Sequence, residues 1–323
     1  MAFTSGELVE VLRAAGEPTR LRILALLQRE ELSVMELGQI LDQSQPRVSR
    51  HLKLLAEAGL VERFPDGAWV FYRLSGDGER RQLTDAVLGR LKAAEPVITR
   101  DGERLGQVRR EREAEAAAYF ERNAAHWGEI RSLYVAEDEV ERAILDAVGP
   151  GPFERLVDLG TGAGRMLTLL GGQAGAALGL DLSQQMLNIA RRQVTDRGLG
   201  QCELRHGDIF ATGLRDGSAD LVVIHQVLHY LNDPAAALAE AARLVSPEGR
   251  LLIIDFAPHA LEHLRLAHQH RRLGFADEEI ERWCAESGLP QVSTVTLPPA
   301  SPEGLTVKIW LARPDQAAQR NAA

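Results

Sequence analysis

The sequence predicts an α/β chain in two parts. A small winged helix-turn-helix comes first, and a larger domain follows on a mostly parallel seven-stranded sheet that ends in an antiparallel hairpin. Three observations carry this reading. Two short helical patterns joined at a tight turn precede two strand-like runs around Pro65-Asp66-Gly67. From about residue 153, short apolar runs alternate with helical segments, the pattern of βαβ units on a parallel sheet. The last two runs, Val292–Leu297 and Leu305–Arg313, are separated by Pro-Pro-Ala-Ser-Pro-Glu-Gly and no helix, so they pair antiparallel. A length of 323 residues, at roughly 100–200 per domain, fits two domains and a connector, placed at 1–92, 93–127 and 128–323.

Each element has a local reason. Leu8, Val9, Val11 and Leu12 give a first apolar face, and Pro18-Thr19 open a second helix that buries Leu21, Ile23, Leu24, Leu26 and Leu27. Ser33 followed by Glu36 is a capping box for a helix to Leu41. After Asp42-Gln43-Ser44, a helix runs from Gln45 to Ala58, with Pro46 in its first turn and Gly59 as its stop. Leu60–Phe64 and Trp69–Arg73 then form the hairpin. Residues 78–127 read as helical and charge-rich, and Arg109-Arg110-Glu111-Arg112-Glu113 as a solvated face of mixed sign. The parallel strands are Arg155–Leu159, Ala176–Asp181, Cys202–His206, Leu221–Ile224 and Arg250–Asp255.

Composition narrows the setting. The chain is 45% hydrophobic, enough for real cores. No run approaches the ~18–20 uncharged apolar residues of a membrane helix, and the first residues lack the basic-then-apolar pattern of a signal peptide. These features and the two widely spaced cysteines, Cys202 and Cys284, point to a cytoplasmic protein with two buried, reduced thiols. The first hundred residues hold equal numbers of basic and acidic side chains, so the whole net charge of −9 lies beyond them. That acidic remainder repels phosphates. Any DNA contact therefore falls to the front third.

Two helices at a tight turn followed by a hairpin place the second helix in the major groove, with residues near its start at base edges. There Gln45, Arg47, Ser49, Arg50 and His51 supply donors and acceptors. Arg50 and Lys53 can take phosphates, as can Arg63 or Arg73 from the wing. The stretch PRVSRHLKLLAEAGLV and its surroundings, roughly residues 8–92, resemble the ArsR/SmtB family of bacterial repressors. The resemblance implies a homodimer on palindromic double-stranded operator DNA, paired through the first helix and the helix after the wing. Many metal-sensing members carry Cys-x-Cys in the first helix of the motif. This chain has Ser33-Val34-Met35 there, without the thiolates a soft metal needs, so no metal is assigned.

In the second part, Leu156-Val157-Asp158-Leu159-Gly160-Thr161-Gly162-Ala163-Gly164 sits at a strand-to-helix turn. Glycines let the backbone approach a ligand, and a helix start offers free N–H groups. Asp181 ends the next strand 17 residues beyond Gly164, where a carboxylate holds ribose hydroxyls. His206-Gly207-Asp208-Ile209 follows the strand after that. These motifs resemble class I S-adenosylmethionine-dependent methyltransferases of the small-molecule, UbiE-like branch, over about residues 119–312. The resemblance implies a Rossmann-like methyltransferase domain in which Asp158, Gly160, Gly162 and Gly164 lie at the methionine part of the cofactor. It puts Asp181 and Leu182 at the ribose side, Asp208 and Ile209 at the adenine, and His225 and Gln226 at the methyl-facing end of the fourth strand. The Gly-x-Gly-x-Gly spacing fits a nicotinamide dinucleotide less well.

Methyl transfer needs alignment, and a base only if the acceptor loses a proton. Candidates for that base are His225, His229 and Asp255; Tyr119 falls where related enzymes close a helix over the cofactor. If one helix spans residues 259–271, His259, His263 and His270 share a face and His268 points nearly opposite; two histidines four apart can ligate a metal, whereas the resemblance implies a substrate lid. Three functions follow. The first is a DNA-binding regulator fused to an active methyltransferase of an unidentified small molecule. The second is a non-catalytic repressor that senses S-adenosylmethionine or S-adenosylhomocysteine. The third is an enzyme whose winged helix serves only dimerisation.

Overall fold

The computed structural model describes residues 3–66, 69–76, 78–92, 94–123, 137–299 and 304–315. The chain divides into two compact units, Met1–Ala114 and Glu115–Ala323.

The first unit is built from α1 (Ser5–Ala15), α2 (Pro18–Leu27), β1 (Leu32–Ser33), α3 (Val34–Leu41), α4 (Gln45–Glu57), β2 (Val61–Asp66), β3 (Trp69–Leu74), α5 (Gly78–Leu88) and the start of α6 (Pro96–Asn123). Caps fix the helix starts, the one at Ser33 as the sequence suggests. Thr4 with Glu7 and Ser33 with Glu36 both form complete capping boxes, and Glu17 accepts from the Arg20 amide just ahead of Pro18. Asp42, left-handed at φ 57°, stops α3 and turns the chain into α4. The three strands order β1-β3-β2, all antiparallel. The hairpin pairs as far as Asp66 with Trp69, and its tip at 67–68 lies outside the described residues.

One expectation needs correction. In α1 only Val11 and Ala15, four apart on one face, reach the core, while Leu8, Val9 and Leu12 remain at the surface. Leu8, Val11, Leu12 and Ala15 lie on one apolar stripe, and the unit's own core covers only the Val11 and Ala15 side of it. A second finding concerns residues 96–110, which fall in the stretch read as a helical connector. Leu105 and Val108 of α6 join the same core as Ile23, Leu37 and Leu52. Asp101, almost fully buried, receives two 2.6 Å hydrogen bonds from Arg22, and Arg109 pairs with Glu30.

The described part of the second unit continues with α7 (Glu137–Val148), β4 (Phe153–Leu159), α8 (Arg165–Leu170), β5 (Ala174–Asp181), α9 (Gln184–Asp196), β6 (Cys202–His206), β7 (Ala219–His225), α10 (Pro234–Leu244), β8 (Val245–Phe256), α11 (His263–His268), α12 (Asp277–Glu286), β9 (Gln291–Leu297) and β10 (Val307–Arg313). The seven-stranded sheet has the order β6-β5-β4-β7-β8-β10-β9. Strands β4 to β8 pair in parallel, and β10 runs antiparallel to both β8 and β9. The fold is thus the expected α/β doubly wound sheet with a terminal hairpin. The near-continuous apolar runs of β4 and β7 follow from burial on both faces, which two separate apolar layers cover. The hairpin is pinned by Asp277, which accepts from the Trp310 indole at 2.8 Å and from Lys308 at 2.7 Å.

The histidine helix is much shorter than the spacing argument requires. Only His263–His268 is helical, because Gln269 turns left-handed at φ 58° and ends it. His259 and His270 lie outside it, so the three histidines share no helical face. His259 instead pairs through its amide with the Leu273 carbonyl.

Candidate functional site

The chain leaves β4 for β5 and β6 on one side of the sheet, then returns to β7 and β8 on the other. Ligands in such sheets bind outside the strand carboxyl ends at this reversal. Gly160 and Gln226 follow β4 and β7, the two strands that flank it. They are close: a Cβ on Gly160 would stand 2.5 Å from Val227 Cγ2.

The glycine turn is held by its neighbour strand. The Gly160 and Thr161 amides both donate to the Leu180 carbonyl at 2.8 Å, and the Gly162 amide donates to Asp181 Oδ2 at 2.8 Å. The Gly164 amide returns to the Thr161 carbonyl. These amides are therefore occupied within the chain, contrary to the expectation of free donors. What the turn offers is close approach, since Gly160, Gly162 and Gly164 all have φ between 52° and 83°, and a Cβ at Gly162 would meet nothing within 4 Å. Asp158 is buried beneath the turn and accepts from the Thr161 hydroxyl at 2.6 Å.

Asp181 also accepts from the Ser183 amide at 2.7 Å, and the Leu182 amide is a further backbone donor to its carboxylate. A carboxylate has about four acceptor sites, so room remains for a hydroxyl donor. Burial raises its pKa, opposed by the Ser183 and Gly162 amides and by His206. Beyond it, Leu182 is exposed on the strand end. Asp208 is exposed with its carboxylate accepting from the Phe210 amide, and Ile209 is buried. Phe210, absent from the sequence reading, stands exposed there. Its signal was an aromatic residue directly after the His-Gly-Asp-Ile motif.

His225 is half-buried at the end of β7, and Gln226 carries the uncommon φ of 53° for a residue other than glycine. Gln226 Oε1 is buried without a hydrogen-bond partner among the described residues. His229 and Asp255 meet: Nδ1 donates to Oδ1 at 2.7 Å, with both side chains enclosed. His229 Nε2 has no partner among the described residues. His270 packs on the His229 ring at 4.2 Å between centroids and stacks on Phe256. Burial, then the neighbouring His229, His259, His268 and Arg265, hold its pKa far below the usual imidazole range. Tyr119 lies on α6, its side chain outside the described residues. Among the described residues no group of three His, Cys, Asp or Glu side chains is arranged for a metal.

On the first unit, α4 buries Val48, Leu52 and Leu55 and exposes Gln45, Arg47, Ser49, Arg50 and Lys53 on the opposite face. His51 departs from them. It is half-buried with Nδ1 3.5 Å from Glu17, because position 51 falls three after Val48 and four before Leu55, on the buried side of the helix. On the wing, Arg73 is engaged by Glu62 at 3.0 Å and by Glu31, whereas Arg63 is exposed.

The family model described as bacterial regulatory protein, arsR family, matches residues 17–63, and that described as methyltransferase domain matches residues 157–253. The arsenic resistance transcriptional regulator ArsR1 of Pseudomonas putida is 38% identical over 115 residues, 33% of this chain and 88% of that protein. The ubiquinone/menaquinone biosynthesis C-methyltransferase UbiE of Vibrio parahaemolyticus is 29% identical over 153 residues, 46% of this chain and 57% of that protein. The chain thus spans little more than half of the methyltransferase. A methyltransferase of Haloferax volcanii, solved with the Trm112 methyltransferase activator, shares the fold with a TM-score of 0.50 and 21% identity over 61% of this chain and 98% of its own.

Two stability tests follow. Gly160→Ala combines a left-handed backbone with the Val227 clash and is expected to cost about 2–4 kcal/mol. Gly162→Ala meets only the backbone cost, about 1 kcal/mol. Chemical denaturation of the two variants reads the difference. For His270 the folded pKa is depressed, so its contribution is full above the unfolded value near 6.5 and is lost as pH falls below it. The second unit should therefore lose up to about 1.4 kcal/mol per pH unit below that point. His270→Phe should flatten this slope in denaturation curves between pH 7.5 and 5.5.

Proposed function

Because the chain belongs to the arsR family of bacterial regulatory proteins and joins to it a methyltransferase domain, we propose that it is an operator-binding homodimer whose second unit uses S-adenosylmethionine to methylate a small molecule in the cytoplasm. The boundaries assigned are 1–92 for the DNA-binding domain, 93–127 for the connector and 128–323 for the methyltransferase domain. The observation that carries the cofactor is the Gly162 amide on Asp181, which joins two separate motifs into one cradle.

Asp181 would accept the two ribose hydroxyls through its remaining lone pairs, and Leu182, Asp208 and Ile209 would line the adenine, with Phe210 beside them. Gly160, Gly162 and Gly164 would let the methionine part lie against bare backbone above Asp158. His225 and Gln226 would face the methyl end. S-adenosylmethionine supplies an activated methyl on a sulfonium, so alignment by this frame does most of the work. Where the acceptor must shed a proton, His229 Nε2 would take it, with Asp255 fixing the tautomer through Nδ1. His225 and Tyr119 are alternative bases.

DNA would be read by Gln45, Arg47, Ser49 and Arg50, with Lys53 and Arg63 on phosphates. His51 and Arg73 keep a place only if they leave Glu17 and Glu62. The exposed Leu8 and Leu12 of α1 supply an apolar face for the second copy. A second reading is favoured by the enclosure of His229 and Asp255: the domain binds the cofactor or S-adenosylhomocysteine and reports it to the operator without turnover.

Labelled S-adenosylmethionine separates these readings. Binding with methyl transfer to a cell-extract component supports the enzyme, binding without transfer supports the sensor, and no binding ends both. Asp181→Ala is expected to weaken binding about tenfold to a hundredfold, since charged hydrogen bonds contribute about 1.5–3 kcal/mol each. For DNA, a site selected from random duplexes by the wild-type protein serves as probe. Arg50→Ala should cost about 1–3 kcal/mol if it reads a base. Unchanged affinity after loss of Gln45, Arg47 and Arg50 together would remove the major-groove assignment.

A further inference from the structure

Enclosed polar atoms without partners gather at the carboxyl ends of β7 and β8. Among the described residues, Gln226 Oε1, His229 Nε2, Asp255 Oδ2 and His270 Nδ1 are all buried with no hydrogen-bond partner. The first three have one chemistry. His229 Nδ1 donates to Asp255, so Nε2 carries a lone pair, and the Asp255 and Gln226 oxygens accept as well. The two strand ends are joined, since the Gln226 amide donates to the Ile254 carbonyl at 2.7 Å. An unmatched buried acceptor is costly. Three on neighbouring strand ends call for a group that brings N–H or O–H to them.

His229 is covered by a ring of the chain itself. His270 lies 4.2 Å from it, edge-on to Tyr230 at 5.3 Å, and within 13° of parallel to Phe256 at 5.9 Å, all between centroids. A hydrocarbon ring would fill this place without stranding a nitrogen, yet the residue here is a histidine with Nδ1 stranded. The segment that carries it lies between two left-handed residues, Gln269 at φ 58° and Gly274 at φ 89°. Within it the Arg271 and Arg272 amides both donate to the single His229 carbonyl, at 2.8 and 3.1 Å. Residues 270–273 are thus a short cover seated on His229.

We propose that the place of the His270 ring, between His229, Tyr230 and Phe256, is the methyl-acceptor slot, and that the acceptor is a neutral azole, a flat aromatic ring bearing one N–H. The inference rests on the functional reading above, in which His229 is the base and Gln226 faces the methyl end. The slot is already shaped round an imidazole, and an azole N–H is the donor that His229 Nε2 is set to accept. The acceptor displaces His270 as residues 270–273 turn about Gln269 and Gly274, so the enclosed dyad belongs to the state without substrate. On transfer, an azole nitrogen forms the bond to the methyl carbon and the carbon–sulfur bond breaks, leaving its electron pair on sulfur. The N–H proton passes to His229 Nε2, and Asp255 stabilises the imidazolium.

The test uses the full chain, benzimidazole as probe and 1-methylbenzimidazole, the same ring without its N–H, as control. Calorimetry reads S-adenosylhomocysteine affinity first, then the affinity of each azole for the protein saturated with it. Wild type should bind benzimidazole about tenfold or more tightly than the control, and His229→Phe should abolish that preference. His270→Ala removes the competing ring and should raise benzimidazole affinity about fivefold or more, whereas His270→Phe, a plug with no stranded nitrogen, should lower it about as much. A merely structural His270 predicts the reverse order, with Phe tolerated and Ala impaired. Benzimidazole that binds no better than its control, or that follows this reverse order, overturns the slot and spares the cofactor assignment. So does a preference that survives His229→Phe. Should His270→Ala not fold by circular dichroism, wild type and His270→Phe decide by the same criteria. Failure of wild type to bind S-adenosylhomocysteine removes the cofactor assignment and the slot with it.

Discussion

The second unit depends on how the turn after β4 is tied to the end of β5. Gly160 and Thr161 share the Leu180 carbonyl, and Gly162 is bonded to the Asp181 side chain. These bonds set the height of the turn above the sheet and orient the carboxylate in one step. They also explain why side chains are excluded on either side: Val227 fills the space where a Cβ of Gly160 would go, and Ala190 of α9 stands 2.9 Å from that of Gly164. At Gly162 the turn opens, and a Cβ there would meet nothing within 4 Å. The backbone conformations required cost other residues about 1–2 kcal/mol each. The glycines are a geometric requirement of the cradle.

The architecture was largely legible because its signals are local. The capping box at Ser33 and Glu36, the stop at Gly59 and the strand-end motifs at Gly160, Asp181 and His206 each predict structure within a few residues of themselves. What was not legible depends on distant partners or on small phase errors. Arg22 and Asp101 are far apart in sequence, and nothing near either one announces a bidentate pair. The core contacts of Leu105 and Val108 were not foreseen, because the two are sparse among charged residues in a stretch read as helical and charge-rich. His51 was grouped with Arg50 by adjacency, but one step round a helix is about 100°, enough to bring it against Glu17. The histidine helix failed for the same kind of reason. Periodicity places side chains only while the helix continues, and a left-handed Gln269 ended it first.

The two units differ in how they use charge. In the first, arginines serve the carbonyl end of a helix and a buried carboxylate, so cations otherwise available to phosphates are committed to structure. Arg73 on the wing is committed likewise, to Glu31 and Glu62. Cationic side chains left at the surface of α4 are Arg47, Arg50 and Lys53. If α4 reads DNA as proposed, these cations and Arg63 on the wing would carry the phosphate contact, which favours a short, well-registered footprint over diffuse attraction.

The sulfur atoms tell something about the setting in which such a protein works. Burial pushes the Cys202 thiol up, with Asp158 adding to it, and pushes Cys284 up to about 12. Nucleophilic attack on peroxides, electrophiles or trivalent arsenic needs the ionised sulfur. At neutral pH very little of it exists at either position. Both thiols are therefore poorer nucleophiles than a free cysteine.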